Sequence, residues 1–162
     1  EGTPLKNIAI TCNTTVQKGE AVITTFGLEG NAIYGLSPQI RAQLNAQVKA
    51  TVCIDFKPSL SLESIVYKIK SSGFKNTTQI LKKELKLSSA QIDLLKTYLS
   101  KESYLNTTSL AEHIKKFPLD IINTATIDEA ISTVGGIDLQ AVTSHFELKE
   151  LPTQFCKPIQ IE

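Results

Sequence analysis

Cysteines and histidines are the side chains of this 162-residue chain that could act as nucleophiles, bases or metal ligands. Cys12, Cys53 and Cys156 lie far apart and form no C-x-x-C pair, so their spacing suits neither a disulfide framework nor a zinc site. His113 and His145 have no cysteine or carboxylate at the spacing of metal ligands. The sequence therefore predicts no metal site and a reducing, cytoplasmic location.

A cysteine–histidine nucleophile pair stays open as an alternative, because such pairs meet in space rather than in sequence. Under this alternative the chain is a complete small enzyme that uses Cys53 or Cys156. The adjacent carboxylates Asp128 and Glu129 would point to opposite faces of a strand, so we interpret them as part of a turn. The motifs G-x-G-x-x-G, G-x-x-x-x-G-K-[ST], G-x-S-x-G and H-E-x-x-H are absent from the sequence. We predict no catalytic residue in this chain.

Glycine placement is the unusual feature that remains. Gly27, Gly30 and Gly35 follow one another closely, and Gly135 and Gly136 stand side by side after an apolar run. Glycine tolerates positive φ and lets a backbone come close to a ligand or to another chain segment. Turn geometry alone would explain the same placement, so the pattern indicates either a binding site or a set of tight turns.

The elements that position these glycines follow from hydrophobic periodicity. Apolar and polar residues alternate in residues 8–12 and 50–56, which is typical of half-buried strands, and residues 21–25 form a third candidate strand. The glycine-rich residues 26–31 then predict a sharp elbow from strand to helix. A Ser-Pro pair opens a short predicted helix over residues 38–47.

A helical module is predicted over residues 61–117, where the apolar period changes to about 3.6. We predict four amphipathic helices, of which the third opens with a capping box at Ser88. The fourth carries Phe117 on its apolar face and is ended by Pro118. Because helices this short are unstable alone in water, they must pack on one another or on the sheet.

Beyond Pro118 the sequence again has patterns typical of β-strands, and we predict strands over residues 121–126 and 130–134. The order of elements predicts an α+β fold: a mostly antiparallel sheet or half-barrel with an inserted four-helix module. The predicted organisation is a β-rich domain of residues 1–60 and 118–156, an inserted helical subdomain of residues 61–117, and a tail of residues 157–162.

Charge and hydropathy exclude several classes of partner. The chain carries a net charge of +1, which is too small to attract nucleic acid or acidic lipid electrostatically over long range. No apolar run approaches the roughly 20 residues that are needed to cross a bilayer. We predict neither nucleic acid nor membrane as a partner. The sequence contains no Met, from which we expect the chain to be a piece of a larger protein.

The helical module is locally basic. Residues 61–117 contain ten lysines against five acidic residues, a net charge of +5. We interpret this surface as a solvated lysine face that keeps the helices soluble. Its densest clusters are Lys82, Lys83 and Lys86, and Lys115 and Lys116.

Two segments resemble a known family. Residues 19–37, GEAVITTFGLEGNAIYGLS, resemble a signature of the aminoacetone-oxidase-like (BaiN-type) NAD(P)/FAD-dependent oxidoreductases, a family of bacterial flavoproteins. Residues 130–137, AISTVGGI, resemble the second signature of that family, A-x-x-T-x-G-G-V. The resemblance covers about residues 4–156, and residues 157–162 depart from the family pattern.

The resemblance implies that this chain is the middle domain of such a flavoprotein, its substrate or cap domain. It implies that Gly27, Gly30, Gly135 and Gly136 approach the flavin and shape its pocket without doing chemistry. The implied partners are the Rossmann FAD-binding domain of the same protein and a small-molecule substrate. FAD is then expected in the full-length protein, whereas this chain alone should hold none and be inactive.

A second interpretation makes the chain a free-standing interaction module. Its basic helices would dock an acidic partner or nucleic acid, although the aromatic residues among them are too scattered to form a stacking platform. The coding sequence on both sides of this segment would separate the two interpretations. An upstream strand-G-x-G-x-x-G-helix would favour the flavoprotein, and a start codon just before Glu1 would favour the module.

Overall fold

A computed structural model describes residues 2–129, 138–145 and 147–155 of the chain. Its residues divide into two compact units, residues 1–124 and residues 125–162. The predicted domain boundaries at residues 60 and 118 stay a prediction. No helix in the described ranges is both long enough and apolar enough to cross a membrane.

The first unit is built on a five-stranded antiparallel sheet that curves into a half-barrel, and the predicted α+β class is confirmed. The strands are β1 (Thr3–Cys12), β2 (Thr15–Ile23), β3 (Leu28–Glu29), β4 (Ala50–Asp55) and β5 (Phe117–Ile121). They lie in the order β3-β2-β1-β4-β5, and every neighbouring pair is antiparallel. Strand β1 pairs with both β2 and β4, which makes it the centre of the sheet.

Seven helices interrupt the sheet at two places. Two of them connect β3 to β4, and the other five form the insertion between β4 and β5. The helices are α1 (Asn31–Tyr34), α2 (Ser37–Ala46), α3 (Leu62–Lys70), α4 (Thr77–Lys83), α5 (Ser89–Tyr98), α6 (Lys101–Leu105) and α7 (Thr107–Lys115).

The insertion contains five helices where the sequence predicted four, and the additional one is α6. Asn106 ends α6 and also caps α7, because its side-chain oxygen accepts a hydrogen bond from the backbone N–H of Ser109. One residue therefore separates two helices that periodicity alone does not distinguish. The capping box predicted at Ser88 is confirmed, with Gln91 as its reciprocal partner.

The end of the insertion differs from the prediction. The last helix ends at Lys115, and Phe117 is the first residue of β5 rather than part of the helical face. Pro118 belongs to β5, which is compatible with its missing N–H because β5 is the outermost strand at that side of the described sheet. The strand predicted over residues 121–126 is wrong beyond Ile121, since β4 begins opposite that residue at Ala50 and gives nothing further to pair with.

One hydrophobic core joins the sheet to both sets of helices. Ile10 and Ile54 from the sheet are as completely buried as Ile65 and Leu110 from the insertion. The last turn of α7 also bonds directly to the end of β4, because the backbone N–H of Phe56 donates to the carbonyl of Ile114 over 2.9 Å. The predicted packing of short helices on one another and on the sheet is thus confirmed.

The second unit is described only in part. It contains short 3-10 turns at Ile127–Glu129 and Leu139–Ala141. A small antiparallel pair of strands follows, β6 (Glu147–Leu148) and β7 (Leu151–Phe155). Residues 130–137, which hold the second predicted signature and the strand predicted over residues 130–134, lie outside the described residues.

Candidate functional site

The glycine elbow predicted between a strand and a helix is present, and it connects β2 to α1 through the two-residue strand β3. Thr24 fixes its first turn. The Thr24 hydroxyl oxygen accepts hydrogen bonds from the backbone N–H groups of Phe26 and Gly27, each over 3.2 Å. The same hydroxyl donates to the carboxylate of Glu29 over 3.1 Å, and the Thr24 N–H donates to the Gly27 carbonyl over 2.8 Å. Residues 24–27 therefore form a hydrogen-bonded turn with a defined shape.

Gly27 is the open position of the elbow. Its φ of +154° is one that residues with a side chain rarely adopt, and no atom beyond its chain neighbours would lie within 4 Å of a Cβ built there. The side chain of the preceding Phe26 is 96% exposed. The tip of the elbow thus presents a bare backbone beside a solvated phenyl ring.

Gly30 is explained by close backbone contacts within the domain. A Cβ at this position would lie 3.0 Å from the carbonyl oxygen of Glu20 and 3.1 Å from Cα of Ala21, so the glycine lets the elbow pack against β2. Its φ of +109° and its carbonyl, which accepts from the N–H groups of Ile33 and Tyr34, start helix α1. Turn and packing geometry therefore account for Gly30 without a ligand.

The four predicted pocket glycines are not all described. Gly27 and Gly30 lie three residues apart in one elbow, whereas Gly135 and Gly136 lie outside the described residues. A flat ring could approach Gly27 and Phe26, where no side chain stands in the way. Helix α1, which follows the elbow, has only four residues and is too short to provide the helix N-terminus that binds a pyrophosphate.

Lys115 connects the helical insertion to the end of β4. Its ammonium nitrogen lies 2.6 Å from a carboxylate oxygen of Asp55, 2.7 Å from the carbonyl oxygen of Leu60 and 3.1 Å from that of Lys57. These three contacts match the three N–H donors of an ammonium group. The other carboxylate oxygen of Asp55 accepts from the backbone N–H of Lys57 over 2.8 Å, so the ion pair holds the loop that leaves β4.

The prediction of a solvated lysine face is wrong for Lys115, whose side chain is only 23% exposed, although it holds for its neighbour Lys116. Lys57 is also partly withdrawn from water. Its ammonium group donates to the carbonyl of Lys86 over 3.2 Å, and burial, followed by the charge of Lys86, lowers the pKa of Lys57. Sequence spacing gave no signal for either contact, because the partners lie about 30 to 60 residues apart.

Within each unit, no hydrogen bond joins a cysteine to a histidine among the residues that the structure describes. Cys12 is fully buried in β1, where its sulfur accepts a hydrogen bond from the Gln43 side-chain amide over 3.3 Å. The imidazole Nδ1 of His113 lies 2.8 Å from the carbonyl of Ser109 in its own helix. Among the described residues, no group of three or more His, Cys, Asp or Glu could hold a metal ion. Cys156 lies outside these residues.

Cys12 is expected to resist alkylation in the folded chain. Burial, together with the nearby thiol of Cys53, raises the pKa of Cys12, so little of the reactive thiolate is present near neutral pH. Brief treatment with iodoacetamide at about pH 8, followed by peptide mass spectrometry, should label the half-buried Cys53 first and Cys12 only after urea is added. Equal labelling of Cys12 with and without urea would contradict this prediction.

A comparison with protein-family models agrees with this architecture. A family model described as "HI0933-like protein barrel and H2TH domain" matches residues 1–132, which include the whole five-stranded sheet and the whole helical insertion. A search of curated proteins finds no match to the chain. Since the family match covers far more than half of the 162 residues, the chain belongs to the HI0933-like barrel and H2TH domain family, a family of flavoprotein-related, FAD-dependent oxidoreductase proteins.

Proposed function

We propose that this chain is the substrate or cap domain of a larger bacterial FAD-dependent oxidoreductase of the BaiN type. The observation that carries the proposal is the family match, which spans the half-barrel and its helical insertion as one unit. In this role the chain would dock on the Rossmann FAD-binding domain of the same protein, in the cytoplasm, and cover a small-molecule substrate. NAD(P) would be the second substrate of the complete enzyme.

The contribution of the domain would be to shape and shield a pocket. Bound FAD would supply the redox chemistry. The elbow is the described surface best suited to line such a pocket, because its turn is fixed by Thr24 and its Gly27 is open on one side. A rigid wall that excludes water is what a cap domain adds to a flavin site. Gly135 and Gly136 belong to the proposal through the family resemblance alone.

Purification of this chain by itself tests whether the FAD-binding groups lie outside it. We expect a folded, colourless protein, because the resemblance places the groups that bind the adenosine and pyrophosphate of FAD outside this segment. The measurement is the visible absorption spectrum after preparation without added cofactor. A yellow protein with one flavin per chain would show that these 162 residues hold FAD alone, against the cap-domain proposal.

The claim that this segment belongs to an FAD-dependent oxidoreductase is tested with the protein expressed from the complete reading frame that contains it. The full-length protein is expected to carry FAD and to show reduction of the flavin by NADH or NADPH in a stopped-flow spectrometer. The isolated chain serves as the matched control in the same assay. A full-length protein that never binds flavin would overturn the proposal and favour the interaction module, whose basic helices would then be tested with acidic partners.

A further inference from the structure

Lys57 lies in a partly shielded place where lysines outnumber carboxylates. It follows β4, and its side chain is half-buried. Its ammonium group donates to the carbonyl of Lys86, between α4 and α5, over 3.2 Å. The ammonium group of Lys115, at the end of α7, lies 3.1 Å from the Lys57 carbonyl oxygen. Three lysines from distant parts of the chain therefore meet at the loop that leaves β4.

Asp55 supplies the carboxylate of this cluster, and its charge is taken by Lys115. One oxygen of Asp55 accepts from the Lys115 ammonium group over 2.6 Å, and the other accepts from the backbone N–H of Lys57 over 2.8 Å. The other ion pair of the described residues joins Lys49 to Asp120, so the Lys57 ammonium group has no carboxylate partner among them. Lys57 thus differs from Lys115, which is also shielded but is paired.

This arrangement favours the neutral amine of Lys57. Partial withdrawal from water disfavours a charged group, and a second positive charge nearby disfavours it further. Burial, followed by the charge of Lys86, accordingly lowers the pKa of Lys57. Near neutral pH, more of Lys57 than of a fully solvated lysine therefore carries the free electron pair that attacks electrophiles.

We propose that Lys57 is a site of N-acylation, which acyl phosphates or acyl thioesters modify ahead of the exposed lysines of the helical insertion. The free amine attacks the acyl carbonyl carbon, a C–N bond forms, and the bond from that carbon to the phosphate oxygen or thiol sulfur breaks. The leaving group keeps the bonding electron pair, and the nitrogen releases one proton to water. The amide is neutral and keeps one N–H, so it removes the repulsion from Lys86 and retains a donor for its carbonyl.

The first test labels the chain with trace acetic anhydride at several pH values from about 6 to 10 and follows each lysine by peptide mass spectrometry. Accessibility scales the labelling rate equally at every pH, whereas a lower proton affinity moves the whole profile to lower pH. At about pH 7.5, Lys57 should reach a fraction of its own plateau rate about 3-fold or more above that of the exposed Lys116. Coincident profiles for the two lysines would overturn the proposal.

Lys86→Met tests the physical cause. The variant removes the neighbouring ammonium group but keeps the backbone carbonyl that accepts from Lys57, so the Lys57 profile should move to higher pH. Lys101→Met, at the exposed start of α6, is the matched control for the loss of one positive charge and should leave the profile in place. Circular dichroism checks that both variants are folded. An equal shift in both, or in neither, would refute the role of this cluster.

Acetyl phosphate and acetyl coenzyme A then serve as the acyl phosphate and acyl thioester, in separate incubations near neutral pH. Lys57 is expected to gain the acetyl group several-fold faster than Lys116, and faster still than Lys115, whose ammonium group is held by Asp55 and two carbonyls. Modification by one donor alone would support the proposal and identify the source of the acyl group. If neither donor modifies Lys57 ahead of Lys116, the proposal is refuted, whether or not the full-length protein binds FAD.

Discussion

Ile65→Asp is expected to destabilise the folded chain by about 3 kcal/mol or more, because it places an unpaired carboxylate in the core. Ile65 is completely buried on α3, on the face that packs into the core shared with the sheet. For a domain of this size the loss corresponds to a fall in Tm of about 6 to 12 °C. Thermal and urea unfolding followed by circular dichroism would measure it.

Tyr67→Asp on the same helix is the matched control. Tyr67 is 72% exposed, so the new carboxylate stays in water and the expected change is within about 0.5 kcal/mol. Both variants add one aspartate to α3, so the large difference between them is the burial of the substituted position. If Ile65→Asp unfolds at the same temperature as Tyr67→Asp, the apolar stripe of α3 is not packed in solution and the described core is wrong.

Lys115→Met is expected to cost about 2 to 3 kcal/mol of stability. The substitution keeps the apolar stem but removes an ammonium group that pairs with Asp55 and bonds to two backbone carbonyls. The carboxylate and both carbonyls are then left with less than their full complement of donors in a site that is mostly shielded from water. Urea unfolding at neutral pH gives the free energy directly.

Lys116→Met provides the control for the loss of one positive charge. Lys116 is exposed and adjacent in sequence, so its substitution should change stability by no more than about 0.5 kcal/mol. The double variant Lys115→Met with Asp55→Asn should recover part of the loss, because it removes the unpaired charge as well. A Lys115→Met variant as stable as Lys116→Met would show that the ion pair contributes nothing.

Local sequence rules predicted the elements whose stabilising contacts are close in the chain. The second half of strand β1 follows from the spacing of Ile8, Ile10 and Cys12, although its first half, from Thr3, was not predicted. The start of α5 follows from the capping box that begins at Ser88. The elbow follows from the conformational freedom of Gly27 and Gly30. Each of these features needs only residues within a few positions of one another, so the pattern is complete in the sequence.

The boundaries of β5 could not be predicted in the same way. Alternation continues past Ile121 in the sequence, yet the strand stops there because its partner β4 begins opposite at Ala50. Phe117 has the correct spacing for the last turn of α7, yet it pairs with Ile54 in the sheet. The length of an edge strand is set by the strand beside it, which lies more than 60 residues away in the chain.

The sequence by itself determined the α+β class, the antiparallel half-barrel with a helical insertion and the resemblance to a flavoprotein family, because periodicity, caps and motifs are local properties. Only the tertiary structure decided that Lys115 lies in a shielded ion pair while Lys116 remains in water, since Lys115 is the last residue of α7 and Lys116 follows it with a non-helical backbone. It likewise decided that Phe26, a residue type usually found in cores, stands in solvent on a rigid turn. Burial depends on which elements meet across the fold, and no spacing rule within one segment contains that information.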